Sequence, residues 1–462
     1  MREEENTVKE KNNSFLYFVI ALIVVLFMTM LVLCGMYLDL RVNGVTSSLP
    51  GIPENDKWIL TDSGYNAHSS TGQLISPAFM GVKAPSIGMI AATYNKDSRK
   101  EFCDYYESDI SALFRGTIKQ IKFAGKERKN EYIKNLINSD MFMFMSFYKE
   151  LPAASILPGL YGNSTVEPLK TGFFVKYMFI VPYGDTVKGI CFDKNLDAHE
   201  LYTNETIGFD QSHFYAYNMM SGWADFEFIS EINPEPVFTS SFNIKSAVIA
   251  PSFSFYKFNL DNSNTLRMLK NFGFNTNLVK VFSSNEKRTV SFVGEEKELY
   301  VSLDNEKITY NGKIHLSEYL KYQPQNGTYT FNDKVLCVKY MVNSIDRILV
   351  GGDARPAIIQ IANNDGEPVF RLKYFYNGVA VTERLYDVSV SIQDEYINNV
   401  EINALFCDSG NIDVPVIPQK LALAVFDESQ FENGFAGCSS LLRIDPVSGN
   451  TELVWGIRKD VE

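Results

Sequence analysis

The chain has 462 residues, with 43 basic against 55 acidic and a formal charge of −12. So acidic a surface is a poor fit for nucleic acid or anionic lipid headgroups and argues against a domain lying flat on a membrane. Hydrophobic residues make up 45% and aromatic residues 13%, ample material at this length for more than one buried core.

Residues 1–13 carry Arg2, Lys9 and Lys11 and read as a short cytoplasmic tail. From Phe15 to Leu38 there are 24 residues without charge or proline. At about 1.5 Å per residue this run reaches roughly 36 Å, enough to cross a hydrocarbon core of about 30 Å. A cleaved secretory core is shorter, about 7–15 residues, and ends at a small-residue site. Here the exit reads CGMYLDLRVNG. Lipid attachment at Cys34 would need a small residue before it, and Leu33 stands there. Cys34 therefore reads as a small apolar helix residue, and 14–38 as a retained transmembrane helix. Basic residues before the helix outnumber Arg41 after it, which places the N-terminus in the cytoplasm and 39–462 outside the cell membrane.

On that helix Ala21, Val25, Met28, Val32 and Gly35 alternate at four- and three-residue spacing, with Thr29 beside them. Small or flexible residues and a hydroxyl let a second helix approach closely, so this line is the expected partner-packing face. The plainer reading is that any long apolar run contains some such line. Residues 39–57, DLRVNGVTSSLPGIPENDK, are rich in Gly, Pro, Ser and Asn and read as a tether.

Beyond the tether the pattern predicts an α+β protein of antiparallel sheets with packed helices. Three exported segments are expected, at 58–165, 166–312 and 313–462. SIGMIAATY (86–94) reads as a strand. The stretch from Ser98 to Phe123 carries helical periodicity, with Phe102, Tyr105, Tyr106, Ile110 and Leu113 on one face. A second helix fits 126–138, followed by the continuous apolar strand MFMFMSFYKELP. GFFVKYMFIVPYG and KGICFD look like paired strands, and 210–236 looks aromatic and irregular. After a strand beginning at Lys245 comes a short helix placing Leu266, Leu269 and Phe272 together. A three-strand meander follows, turning at GEEK and DNEK. In the last third a helix covers KVLCVKYMVNSIDRIL and stops at Gly351-Gly352. Asn377-Gly378 marks a two-residue hairpin turn, LYDVSVSIQDEYINNVEINALF supplies more strand, and a closing hairpin turns over DPVSGN.

Chemistry-bearing motifs are sparse. Six cysteines occur, at 34, 103, 191, 337, 407 and 438, widely spaced and without CxxC. Neither a disulfide framework nor a zinc site is expected. No two of the four histidines, His68, His199, His213 and His315, lie within four residues of each other, so they read as surface or satisfied side chains. Lys170-Thr171-Gly172 and Ser284-x-x-Lys287 resemble fragments of a penicillin-binding site, but in reversed order and with Ser284 in a polar turn. There is no GxSxG, Walker loop or GxGxxG. A pair of glycosidase carboxylates needs no fixed spacing and leaves no cue to read. The acceptor-like sites at 163, 204 and 326 read as surface turns in a chain of bacterial character.

Several segments carry a family resemblance. The stretch LRMLKNFGFNTNLVKVFSSNEKRTVSFVGEEKELYVSLDNEKITYNGK resembles the YycH family in its short helix, its run ending in Val and its strand pattern. MFMFMSFYKELPAASI is similar to that family's apolar strand followed by proline, and YFYNGVAV with GNTELVWGI to the domain YycH shares with YycI. The resemblance implies an exported accessory protein of the WalK (YycG) sensor histidine kinase in Gram-positive bacteria. It further implies no enzymatic activity and no cofactor, with the membrane helix packing against the kinase and a YycI-like single-span protein. The competing expectation is an anchored cell-envelope ligand-binding module or hydrolase.

Overall fold

A computed structural model describes residues 74–161, 172–203, 222–250, 258–320, 322–324, 328–349, 354–364, 367–382, 384–404, 406–425, 435–444 and 451–459. The expected transmembrane helix, the tether and the face formed by Ala21, Val25, Met28, Thr29, Val32 and Gly35 lie outside the described residues. Among those described, no helix is long and apolar enough to cross a membrane.

The protein is mixed α+β, built on two large sheets. The first has nine strands: β1 (Phe79–Ala84), β2 (Gly88–Ala92), β3 (Thr117–Ile121), β4 (Phe142–Pro152), β5 (Phe174–Tyr183), β6 (Thr186–Phe192), β7 (Ala198–Tyr202), β8 (Trp223–Ser230) and β9 (Asn233–Phe238). Their order is β3-β7-β6-β5-β4-β1-β2-β8-β9, and every pairing is antiparallel.

Register explains why β4 reads as an unbroken apolar run. One row crosses the sheet through Gly81, Phe144, Phe179 and Ile190, and its neighbour through Met80, Met145, Met178 and Cys191. Side chains of the two rows point to opposite faces, yet both rows are buried. The aromatic face is extended by Phe226 and Phe228 of β8, whose rings lie 5.0 Å from Phe79 and 5.1 Å from Phe144. A Cβ on Gly81 would fall 2.7 Å from the Phe226 ring, so that position needs glycine. Helix α3 (Lys126–Ile137) lies on this face, with the Tyr132 ring against Phe192. Helices α1 (Lys96–Tyr105) and α2 (Glu107–Arg115) cover the other, where Cys103 Sγ meets Met80 Sδ at 3.5 Å.

The helical stretch expected over 98–123 is corrected in two ways. It breaks at Tyr106 (φ −90°, ψ 7°), which ends α1 and begins α2. Residues 117–121 leave the helix to pair with β7. Gly116 makes that exit, since a Cβ there would lie 1.8 Å from the Tyr202 carbonyl oxygen. Phe102, Tyr106, Ile110 and Leu113 are buried together as expected. The region expected to be irregular holds the β8–β9 hairpin. Its Pro234 and Pro236 sit in β9, an edge strand, where a missing N–H costs no ladder bond. Helix α4 (Ala153–Tyr161) follows β4 directly.

The second sheet is eleven-stranded: β11 (Lys280–Ser284), β12 (Thr289–Gly294), β13 (Lys297–Ser302), β14 (Lys307–His315), β15 (Arg355–Asn364), β16 (Glu367–Tyr376), β17 (Val379–Ala380), β18 (Val388–Gln393), β19 (Tyr396–Asn403), β21 (Phe435–Ile444) and β22 (Thr451–Lys459). The order is β11-β12-β13-β14-β19-β18-β16-β17-β21-β22, with β15 also on β16. Here alternation is clean. Phe292, Leu299, Tyr310, Val400, Val390 and Phe370 form one cross-sheet row, every member at 0% exposure. The next row, Ser291, Tyr300, Thr309, Glu401, Ser389 and Arg371, is polar apart from its tyrosine ring and points the other way. Helix α7 (Phe331–Leu349) covers the apolar face. Its Met341, Val342 and Ile345 line a small void with Tyr374, Val388 and Ile402. Helix α5 (Ser263–Asn271) joins it through Asn271 Nδ2, which donates to the Ser344 carbonyl at 3.2 Å. The Asn377-Gly378 turn forms as expected, with φ of 51° and 91° and Tyr376 paired to Val379.

The two sheets are fastened together. Ile75 bridges Ile358 in parallel, and Ile358 N–H donates to the Leu74 carbonyl at 2.6 Å. Tyr148 of β4 donates its hydroxyl to the Gly378 carbonyl at 2.8 Å and packs on Phe375 at 4.7 Å. A ribbon of β10 (Phe242–Ala250) and β20 (Phe406–Val416) leads into α8 (Gln419–Val425). Gln419 Oε1 there accepts from Phe238 N–H at 3.3 Å.

Candidate functional site

Three arrangements stand out from the core. The broadest is the open face of the second sheet. Asn399 Nδ2 donates to Asn311 Oδ1 at 2.7 Å, and Lys307 pairs with Glu401 at 3.0 Å. The Arg371 guanidinium lies over the Tyr386 ring at 5.2 Å. Toward β11 the face turns apolar, with Phe282 58% and Tyr300 38% exposed and joined across the sheet through Ser291. β11 is an edge strand. This half-exposed face of Ser, Thr and Asn with aromatic residues at one margin brings no reactive groups together among the described residues.

The second arrangement lies on the β7 side of the first sheet. Glu200 accepts from Tyr132 Oη at 2.8 Å, Lys188 Nζ at 2.9 Å and Tyr202 Oη at 2.6 Å. Burial pushes its carboxyl up, but the hydrogen bonds from Tyr202, Lys188 and Tyr132 outweigh burial and hold it below its ordinary value. The Tyr202 hydroxyl is pushed up to about 12, first by its bond to Glu200. This carboxylate is fully engaged in joining α3 to β6 and β7. His199 on β7 stacks on Phe173 at 4.3 Å, and burial lowers its pKa.

The third joins the end of β14 to the β18–β19 turn. Ser317, at the start of the one-turn helix α6 (Ser317–Leu320), places Oγ 2.7 Å from His315 Nδ1. Ser317 N–H donates to the same nitrogen at 3.2 Å. On the far side His315 Nε2 faces Glu395 Oε2 at 3.4 Å. Tyr396 and Tyr329 set their rings 5.2 Å and 5.9 Å from the imidazole.

The remaining sequence candidates separate. Lys287 N–H donates to Ser284 Oγ at 3.3 Å, closing a turn. Of Lys170-Thr171-Gly172 only the glycine is among the described residues, as are only His199 and His315 of the histidines. Cys103, Cys191, Cys337 and Cys407 are buried thiols, and burial pushes those of Cys191 and Cys337 up. Among the described residues no group of three His, Cys, Asp or Glu side chains could hold a metal ion. Sequence reading missed the His315–Ser317–Glu395 cluster. The turn that supplies Glu395 lies 80 residues from His315, and no local motif announces the pair.

The class of protein defined by this architecture is a mixed α+β protein built on two large sheets. No protein-family model matches the sequence, and no curated protein matches it. Among solved structures the chain is similar to YycH from Bacillus subtilis, at 11% identity and a TM-score of 0.53, over 84% of this chain and 94% of that one. The protein therefore has a YycH-like fold. An uncharacterized protein from Eubacterium rectale also matches, at 10% identity over 46% of this chain and 76% of that one, but its TM-score of 0.27 carries no argument.

Proposed function

We propose that this protein is a membrane-anchored, extracytoplasmic regulator of a two-component sensor histidine kinase controlling cell-wall metabolism. The observation that carries the reading is the YycH-like fold, which extends over 84% of the chain. A regulator of this kind works by contact and needs no reaction of its own. The proposed partners are a WalK-like kinase and a YycI-like single-span protein. They would be met in the membrane by the face of Ala21, Val25, Met28, Thr29, Val32 and Gly35, and outside it by the exported sheets. The protein would bias the kinase between two helix arrangements, by no more than its differential affinity for them. A tenfold preference corresponds to about 1.4 kcal/mol.

The test compares the full-length protein with a version whose 14–38 segment is replaced by an unrelated membrane helix. The kinase is expected to co-purify with the native protein, with retention and signalling output reduced by the replacement. Unchanged signalling together with no co-purifying kinase would overturn the reading.

A further inference from the structure

We propose that the Ser317 hydroxyl is a single-turnover acyl acceptor, with His315 as its general base and Glu395 as the residue that orients the imidazole. The geometry fixes the roles. Nδ1 lies 2.7 Å from Ser317 Oγ and also receives the Ser317 N–H, so it is the accepting nitrogen. The ring proton then sits on Nε2, which faces the Glu395 carboxylate at 3.4 Å. The other carboxylate oxygen, Oε1, is buried and has no hydrogen-bond partner among the described residues. The His315 and Glu395 side chains are 28% and 30% exposed, which leaves the cluster open to a small molecule. The Tyr329 hydroxyl donates to the Tyr322 carbonyl at 2.8 Å and accepts a hydrogen bond from the Ser317 side chain, so at rest it shares the Ser317 proton with His315 Nδ1. Of the two rings beside the imidazole Tyr329 is buried and Tyr396 is 39% exposed, so Tyr396 is the face an aryl ester would meet.

The step balances without a further reactant. Oγ forms a bond to the ester carbonyl carbon as its proton passes to Nδ1. The bond from that carbon to the leaving oxygen breaks, and the leaving group departs as an alcohol or phenol carrying the proton from the imidazolium. The product is an acyl ester on Ser317. Because the Ser317 N–H is already given to His315, it is not offered to the developing oxyanion. Base assistance of about 10²–10⁴-fold is then the main source of acceleration.

The same contacts also cap α6, and a cap alone would leave the hydroxyl with ordinary reactivity. The experiment treats the full-length protein with 4-nitrophenyl acetate and reads serine acetylation by peptide mass spectrometry. Ser291 is the internal reference. It is half-exposed, and its cross-strand neighbours Phe282 and Tyr300 supply no imidazole or carboxylate. Ser317 is expected to acylate at least roughly 100-fold faster than Ser291. His315→Gln should bring it down to the Ser291 rate, and Glu395→Gln should slow it by about tenfold. Equal rates at the two serines of the unsubstituted protein would overturn the proposal without reliance on any variant folding. An unchanged Ser317 rate in a folded His315→Gln protein would overturn it as well.

Discussion

The two sheets use the same antiparallel pairing and differ in how they are covered. In the first, α1 and α2 lie on one face and α3 on the other, so Met145 and Phe144, adjacent in sequence and opposite in direction, are both at 0% exposure. In the second, α7 covers one face only, so Phe292 is at 0% exposure while its neighbour Ser291 stays half-exposed. Continuous apolar strands therefore record cover on both sides, and alternating strands record cover on one. The first sheet is covered on both faces, and the second leaves a half-exposed face of Ser, Thr and Asn that turns apolar toward β11.

Core substitutions test that division most strongly. Phe144→Ala should cost about 3–5 kcal/mol and Met145→Ala about 2–5 kcal/mol in denaturant unfolding, because both faces of β4 are packed. A cost for Met145→Ala as small as that of a surface change would break the comparison. In the second sheet the same pair of steps should split. Phe292→Ala should cost about 3–5 kcal/mol, while Ser291→Ala should stay within about 0.5 kcal/mol.

A smaller effect separates the helical cover of the first sheet by pH. Burial, countered in part by a hydrogen bond from Ser108, pushes the Asp109 carboxyl on α2 up to about 6 from its ordinary 3.8. The folded protein thus holds this proton more tightly than the unfolded chain does. The resulting stabilisation is full below the ordinary value and is lost as pH rises through about 6. Asp109→Asn, which carries no titrating proton, should remove this dependence. Relative to that variant the unsubstituted protein should lose about 1 kcal/mol between acid and neutral pH, with partial solvation of the group included. Parallel pH curves for the two proteins would contradict it.

The smallest change sharpens the second sheet. Glu296 turns β12 into β13 at φ 57°, a conformation that costs an L side chain about 1–2 kcal/mol. Glu296→Gly should raise stability by up to about 1 kcal/mol, since the added freedom of glycine in the unfolded chain offsets part of the relief. A lower unfolding midpoint would show that the turn is held by the glutamate side chain.

Much of this was readable in the sequence where the signal was local. The β12–β14 meander, the helix at 126–137 and the Asn377-Gly378 turn follow from period and turn chemistry. The break at Tyr106 was not readable, because neither glycine nor proline marks it and the apolar period runs through. The β8–β9 hairpin was hidden for another reason. Phe226 and Phe228 owe their strand geometry to aromatic partners that lie far away in sequence, Phe79 and Phe144. The candidate sites divide in the same way. The line of Ala21, Val25, Met28, Val32 and Gly35 rests on spacing alone and lies outside the described residues. The His315 cluster exists only once β14 and β19 pair.

We propose that the protein regulates a kinase through contact, with residues 14–38 as part of the contacting surface. The most direct measurement places a photo-crosslinking residue at Met28, and separately at Leu26 on another face, in the full-length protein in its own membrane. Captured partners are then identified by mass spectrometry. Met28, and not Leu26, is expected to capture a sensor kinase or a second single-span regulator. Lipid alone, or equal nonspecific capture from both positions, would contradict it.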